Sequence, residues 1–325
     1  MLKILFCLLL VATAAAEEVV YSVAWCGAGK YLISTASGRS LRLHDAATGK
    51  IRKSVKVPGQ AAVYVPFGPD SGTDEENRLY VTGGGDFAVT CGVDQMLHWW
   101  KIPQLTSPLH KEINYELVGM SMAANGKLLA YTSTSSRYLD SEMVLLRWQD
   151  KGVEFGSFSE LPPPDGSSSF SSPRLSPDGH WAMAFTGADV QLWNLTRPES
   201  GSQHLKDVSI GGTALAARHF YTQIPGGVSV RSYTNPEQSL RTFACQNPRA
   251  AGVDAREKRL VVLTWDNLYC WDLTRPEQAP RVWRHRAEFM QFSPDGGKVM
   301  LRSEKAIEVW SLQPHQLLFR WKLGS

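Results

Sequence analysis

The chain has 325 residues, of which 43% are hydrophobic and 20% charged, and its formal net charge is +3. This near balance lacks the basic excess that binding to a phosphate backbone requires, so nucleic acid is not an expected partner. The length fits either two average domains or one large all-β domain, and it is sufficient for a core that needs no disulfide bonds.

The N-terminus has the order of a secretory signal peptide. Lys3 precedes the apolar run Ile4–Ala14, and the small residues Ala14-Ala15-Ala16 follow at the expected cleavage site. The run is shorter than the roughly 20 residues that span a bilayer, and no later segment is long and apolar enough. We therefore predict a signal peptide over residues 1–16 and a periplasmic or extracellular protein without a membrane span.

Four cysteines remain after this predicted cleavage, at wide and irregular spacing: Cys26, Cys91, Cys245 and Cys270. The spacing lacks the CxxC pair that is typical of metal sites. We interpret them as buried small apolar residues, with a disulfide among them left open.

Three segments of the C-terminal half are close copies of one another. They are VQLWNLTRPE (Val190–Glu199), VSVRSYTNPE (Val228–Glu237) and LYCWDLTRPE (Leu268–Glu277), and their Thr-x-Pro-Glu ends are 38 and 40 residues apart. In each segment, residues of alternating character lead up to a Trp or its equivalent, and a proline then ends the pattern. This is typical of a strand that is followed by a turn. A period near 40 is the length of one four-stranded propeller blade.

The same strand recurs seven times along the chain. Its copies end at His44, Trp100, Trp148, Trp193, Arg231, Trp271 and Trp310. Turns of sequence SPDG begin at Ser176 and Ser293, and each precedes a β-prone run, which predicts a hairpin. Because isolated hairpins are marginally stable, we predict that residues 17–325 form a single domain, an all-β, seven-bladed β-propeller of four-stranded antiparallel blades.

The motifs HDAATGK, SPDG and WDLTRPE resemble the WD-repeat propeller family over essentially all of residues 17–325. In that family a His, a Ser/Thr, an Asp and the Trp form a hydrogen-bonded tetrad in each blade. Here no repeat has the Gly-His pair, and Asp94 and Asp266 are the acidic residues placed before Trp100 and Trp271, so partial tetrads are expected.

The two ends of the chain bear on how the ring closes. The mature chain would begin on the inner strand Val19–Trp25, with no room for a donated outer strand, whereas Gln316–Leu323 can supply that strand locally. We predict that blade 1 packs against blade 7 without sharing a strand. The extra residues between repeats, around 66–77, 135–141 and 162–170, are predicted loops.

No catalytic, metal or cofactor site is predicted from the motifs. The eight histidines are scattered singly, and Gly83-Gly84-Gly85 has no helix after it to form a phosphate cradle. The acidic residues at 70 and 74–76 do not have the spacing of a calcium loop, so a solvated loop is favoured. Trp99 and Trp100 are expected to pack on opposite faces of their strand, both in the core.

The resemblance implies a non-enzymatic scaffold that binds a protein or peptide, and we expect it to be a monomer. In the family, partners dock on the loops between the outer and next inner strands and between the second and third strands. In this chain that rim comprises Arg39, Gln95, Arg137, Tyr138, Arg249, Trp265 and Arg286.

The alternative is a propeller hydrolase or lactonase-like enzyme with a site in the central channel. It requires acidic or histidine side chains from several inner strands to converge on the axis. The predicted inner strands offer only Arg174, Asp254 and Glu288 as charged residues.

Overall fold

A computed structural model describes residues 20–36, 40–58, 80–91, 96–113, 116–124, 126, 128–134, 141–147, 158–161, 170–186, 189–206, 209–254 and 256–322. The predicted signal peptide, the loop at 66–77 with its acidic residues, and Asp94 lie outside these ranges. So do nearly all residues of the predicted loops at 135–141 and 162–170.

The described strands form seven sheets, and each sheet contains four strands that are consecutive in sequence and antiparallel. The sheets are arranged as the blades of a ring, so the prediction of a seven-bladed β-propeller is confirmed. In every blade the chain runs from the innermost to the outermost strand and then passes to the next blade.

The strands have equivalent positions in all blades. The innermost strands are β1 (Val20–Cys26), β5 (Tyr80–Gly84), β9 (Glu116–Met122), β13 (Phe170–Leu175), β17 (Ser209–Leu215), β21 (Ala250–Val253) and β25 (Phe289–Phe292). The second strands are β2 (Tyr31–Ala36), β6 (Phe87–Cys91), β10 (Leu128–Thr134), β14 (Trp181–Thr186), β18 (His219–Ile224), β22 (Arg259–Leu263) and β26 (Lys298–Arg302).

The two outer layers are equally regular. The third strands are β3 (Ser40–Asp45), β7 (Met96–Lys101), β11 (Ser141–Arg147), β15 (Asp189–Asn194), β19 (Gly227–Ser232), β23 (Asn267–Asp272) and β27 (Ala306–Leu312). The outermost strands are β4 (Ile51–Lys56), β8 (Thr106–Glu112), β12 (Phe158–Leu161), β16 (Ser202–Leu205), β20 (Asn235–Ala244), β24 (Arg281–Arg284) and β28 (His315–Lys322). The predicted repeat strand is the third strand of each blade.

The core consists of seven apolar clusters, one between each pair of neighbouring blades. Strand alternation directs neighbouring side chains to opposite sides of a blade. Thus Ala182 and Ala184 of β14 pack toward blade 3, whereas Met183 and Phe185 pack toward blade 5. Both faces of β14 are therefore apolar.

Trp99 and Trp100 follow the same rule, and their prediction is confirmed. Both side chains are buried. Trp100 packs in the cluster between blades 1 and 2, and Trp99 in the cluster between blades 2 and 3.

The two SPDG turns close hairpins in the same way. The hydroxyl of Ser293 donates to Asp295 Oδ1 at 2.6 Å and accepts the Lys298 N–H at 2.8 Å. Ser176 makes the equivalent bonds, to Asp178 at 2.6 Å and from the Trp181 N–H at 2.9 Å. The fourth turn position, Gly296, has a φ of +72°, which a glycine adopts without steric cost.

The ring closes by packing of blade 7 against blade 1. Val23, Trp25 and Leu32 of blade 1 share an apolar cluster with Met300, Ile307 and Val309 of blade 7. The Trp25 Nε1–H also donates to the carbonyl of Gln291 at 3.4 Å. Since β1–β4 and β25–β28 form separate sheets, the closure predicted without a shared strand is confirmed for the described residues.

The four cysteines of the predicted mature chain are free thiols in the core. Burial raises the pKa of Cys26 to about 12, with a smaller contribution from Asp86, and it raises the pKa of Cys245 and of Cys270 to about 11. The disulfide that the sequence left open is therefore absent among these residues, and they act as small apolar side chains.

Candidate functional site

Three of the seven predicted rim residues fall within the described residues: Arg249, Trp265 and Arg286. The other four, Arg39, Gln95, Arg137 and Tyr138, lie outside them. The three described residues come from different loops that meet at one end of blade 6. The strand register places them there, because Ala250 pairs with Leu263 and Asn267 pairs with Arg284.

Trp265 projects from the tight turn between β22 and β23. The turn is held by the buried Thr264, whose hydroxyl donates to the Asn267 carbonyl and accepts the Asn267 N–H, both at 3.1 Å. The Trp265 side chain is 61% exposed, an unusual state for the largest apolar side chain. The turn therefore holds an indole ring at the surface.

The guanidinium of Arg249 lies over this indole ring. Its Cζ is 3.8 Å from the ring centroid, which is a cation–π contact. Its Nη1 also donates to the Ala287 carbonyl at 3.2 Å, and the Arg249 N–H donates to the Leu263 carbonyl at 2.8 Å. Arg249 is thus fixed between the turn of blade 6 and the segment that leads into blade 7.

Arg286 is positioned by the residue that follows Trp265. Its Nε donates to Asp266 Oδ1 at 3.1 Å, and the His285 N–H donates to the Asp266 carbonyl at 2.9 Å. Both charged side chains are largely exposed, so this ion pair contributes little to stability. We name the set Arg249, Trp265, Asp266 and Arg286 the Arg–Trp surface.

Asp266 was expected from the sequence as a tetrad residue. Instead its carboxylate is exposed at the Arg–Trp surface and binds Arg286. Sequence analysis missed this role because the two residues are 20 positions apart on different loops, and no periodic pattern connects them.

Below the Arg–Trp surface, a histidine pair joins blades 6 and 7. The Nε2 atoms of His285 and His315 are 3.0 Å apart, and His315 stacks on Trp283 with ring centroids 4.1 Å apart. Burial lowers the pKa of both histidines, that of His315 to about 4 with a further contribution from His285. The pair is neutral at pH 7, so one ring donates to the other.

In blades 1 and 2 a ring of the third strand bonds a hydroxyl of the second strand, an arrangement similar to part of the expected tetrad. In blade 2 the Trp100 Nε1–H donates to Thr90 Oγ1 at 2.9 Å. In blade 1 His44 takes the place of the Trp, and its Nε2 lies 2.8 Å from Ser34 Oγ. In both cases a third-strand ring bonds a second-strand hydroxyl.

Asp254, one of the three charged residues predicted on the inner strands, has a structural role. The Asp254 carboxylate accepts the N–H groups of Arg256 and Lys258, at 3.1 and 2.8 Å, and so closes the turn between β21 and β22. Within the described ranges, no group of three or more His, Cys, Asp or Glu residues is close enough to hold a metal ion.

Comparisons with known proteins add no family assignment. A scan against models of protein families gave no match, and a search of curated proteins found none that is similar to this chain. In the part of the chain that the structure describes, no helix has the length and apolar character needed to cross a membrane.

Proposed function

We propose that this protein is an exported, non-enzymatic propeller that binds a protein or peptide partner through the Arg–Trp surface. The observation that carries the proposal is the meeting of Arg249, Trp265 and Arg286 at one exposed site, each held by a defined contact. Trp and Arg are the residue types that most often dominate protein–protein binding energy.

The contacts that fix these side chains contribute little to the stability of the fold. An exposed cation–π pair is worth about 0.5–1 kcal/mol, and an exposed ion pair about 0–1 kcal/mol. What they provide is order, since a side chain already held in place loses less conformational entropy when a partner binds. The Nη groups of Arg286 remain directed to solvent, because its contact with Asp266 uses Nε.

The test is affinity purification of the mature protein from the cell envelope of its own source cells, followed by mass spectrometry. We expect one or more proteins to be retained by the wild type and lost with Trp265→Ala and with Arg249→Ala. Arg197→Ala is the matched control, because Arg197 is exposed on the loop between β15 and β16, at the opposite end of a blade. Loss of the same proteins with the control variant, or retention with Trp265→Ala, would contradict the proposal.

Export is a separate part of the proposal, and it is supported by the order of residues 1–16. Expression with an intact N-terminus should yield a processed protein outside the cytoplasm that begins at Glu17. N-terminal sequencing of the cell fractions tests this, and an unprocessed cytoplasmic chain would exclude it.

We also propose that the chain is a degenerate WD-type propeller. The hydrogen bond from Trp100 to Thr90 and the bond between His44 and Ser34 support this relationship, in addition to the sequence motifs. The proposal is tested by aligning homologous sequences as they are collected, in which Trp100 and Thr90 should be retained together.

A further inference from the structure

In three consecutive blades, all charged residues of the outer strand are basic. These strands are β24 of blade 6, β28 of blade 7 and β4 of blade 1, and all of their residues are described. They contain seven basic residues and no acidic one: Arg281, Arg284, Arg320, Lys322, Arg52, Lys53 and Lys56. We name these three strands the basic sector.

Most of this charge is available to a ligand. Arg52 pairs with Asp45 at 2.7 Å, and Arg320 pairs with Glu308. Lys53 Nζ donates to the Gln104 carbonyl of blade 2, and the other four cations form no ion pair with the described residues. All seven basic side chains are exposed. Two arginines, Arg281 and Arg284, lie on one strand of four residues.

An exposed aliphatic side chain accompanies the cations on each strand of the sector. Val282 is 49% exposed, Leu317 38% and Ile51 53%. The strands are also the outer edges of their sheets, so they present unpaired backbone N–H and C=O groups. The sector thus combines positive charge, apolar side chains and free strand edges.

Protection of strand edges does not account for this arrangement. Basic residues on edges are a known device against aggregation, but every blade of a propeller has an outer edge. The outer strands of blades 2 to 5 contain two basic and three acidic residues: Lys111, Arg241, Glu112, Glu160 and Glu237.

The shape and chemistry of the sector select among anionic ligands. Its three strands follow a convex circumference, which a flat bilayer meets only along a narrow line and a flexible chain can follow. Nucleic acid binding without pairing relies on exposed aromatic side chains for base stacking. The aromatic residues of the sector, Trp283, Phe319 and Trp321, are only partly exposed and already pack against other rings, whereas its large exposed hydrophobic residues are aliphatic. An extended polypeptide can add to a strand edge and offer carboxylates and apolar side chains in alternation.

We infer that the basic sector is a docking surface for an extended acidic polypeptide segment that also carries apolar side chains. The carboxylates would pair with the cations of β24, β28 and β4, and the apolar side chains would cover Val282, Leu317 and Ile51. This surface is distinct from the Arg–Trp surface, and the inference does not depend on the function proposed for that surface.

The test measures binding of a fluorescently labelled peptide of alternating Glu and Val to the mature protein by fluorescence anisotropy. We expect saturable binding that weakens between about 0.05 and about 0.5 M salt, because exposed charges are screened. The double variant Arg281→Glu/Arg284→Glu should weaken binding about tenfold or more, and Val282→Thr, which keeps the shape of the side chain, about threefold. If the double variant fails to fold, Arg281→Gln/Arg284→Gln removes the charge without reversing it.

The matched control reverses two basic residues elsewhere. Arg197→Glu/Lys206→Glu changes the net charge by the same amount on blade 4, where both side chains are exposed. It should leave the affinity within about twofold, because charges farther than about 10 Å from the ligand are screened at 0.1 M salt. Trp265→Ala should also leave the affinity unchanged, and this separates the inference from the proposed function.

Several results would overturn the inference. Equal weakening by the two double variants would show a response to net charge alone, and loss of binding with Trp265→Ala would place the peptide elsewhere. Equally tight binding of poly-glutamate or polyphosphate would show that the apolar side chains take no part. Binding to vesicles of anionic phospholipid without binding to the peptide would identify a membrane surface as the ligand.

Discussion

The outer strands of blades 6, 7 and 1 and those of blades 2 to 5 occupy equivalent positions in the same repeat, yet they differ in charge. The first group has seven basic residues and no acidic one, and the second has two basic and three acidic residues. The inner layers show no such contrast, because every pair of neighbouring blades encloses an apolar cluster. Burial holds the inner strands to one pattern, whereas the outer strands are free to differ and can carry the specific function.

The comparison also shows that the net charge of a chain does not reveal where its charged residues lie. The formal charge of +3 over the whole chain predicts no preference for an anionic ligand. A local excess of seven cations on three adjacent strands produces a field that acts on ligands within a Debye length, about 10 Å at 0.1 M salt. Composition therefore describes the average surface, and the fold decides where the charge lies.

The largest expected effect concerns the junction of blades 7 and 1, which holds two strands of the basic sector together. Trp25→Ala removes a buried ring and its hydrogen bond from this junction and should reduce the free energy of unfolding by about 3–5 kcal/mol. Phe220→Ala, in the cluster between blades 4 and 5, should cost a similar amount. Chemical denaturation of both variants compares the two junctions, and a loss below about 1 kcal/mol for Trp25→Ala would mean that the ring is not held there.

Acidification should weaken the same junction next most strongly. His44 contacts Trp321 of blade 7 with ring centroids 4.5 Å apart, and burial lowers its pKa from 6.5 to about 4. Its Nδ1 lies 3.2 Å from the Gly49 carbonyl, which can only accept, so Nε2 is the nitrogen that must take up the second proton beside Ser34.

The direction of the pH effect on stability follows from the lowered pKa of His44. The unfolded chain binds the proton first as the pH falls below 6.5, so stability is lost between about pH 6.5 and pH 4, by about 3 kcal/mol in total from this residue. The free energy of unfolding of the wild type relative to His44→Gln, measured from pH 7.5 to pH 4, should show this slope. A difference that stays constant with pH would contradict it, and His180→Gln serves as the exposed control.

A smaller loss of stability, equal at both sites, is expected at the two SPDG turns, one of which lies in each of the two compared groups of blades. Ser176→Ala in blade 4 and Ser293→Ala in blade 7 each leave a carboxylate and a partly buried backbone N–H without the hydroxyl, so each should cost about 1–3 kcal/mol. Thermal unfolding of the two variants measures this. A clear difference between them would show that the regions differ in their folding contacts as well as in their surface charge.

The smallest expected effect lies at the Arg–Trp surface. A double-mutant cycle between Arg249→Ala and Trp265→Ala should give a coupling energy of about 0.5–1 kcal/mol, as for an exposed cation–π contact. A coupling near zero would show that the guanidinium is held by the Ala287 carbonyl alone.

Much of the candidate site and of the fold follows from recognisable local patterns. The spacing of the repeat located Trp265 and Arg249 in loops on the same side of a blade, and the structure confirms that they meet. The inner strand β5 and six of the seven outer strands were not placed from the sequence, because they lack a repeated motif and are short or polar. The basic sector was missed for the same reason, since five of its seven charges belong to β4 and β24, two of the strands that were not placed.

The sequence by itself determined the number of blades, their strand alternation and the turns that connect them, because these depend on residues within about 40 positions of one another. Only the tertiary structure decided which side chains meet where blade 7 closes the ring against blade 1. There β4 and β28 become neighbours although they lie near opposite ends of the chain. The physical reason is that contacts between blades depend on the packing of whole sheets around an axis. The charges that this packing brings together on the surface follow no periodic pattern in the sequence.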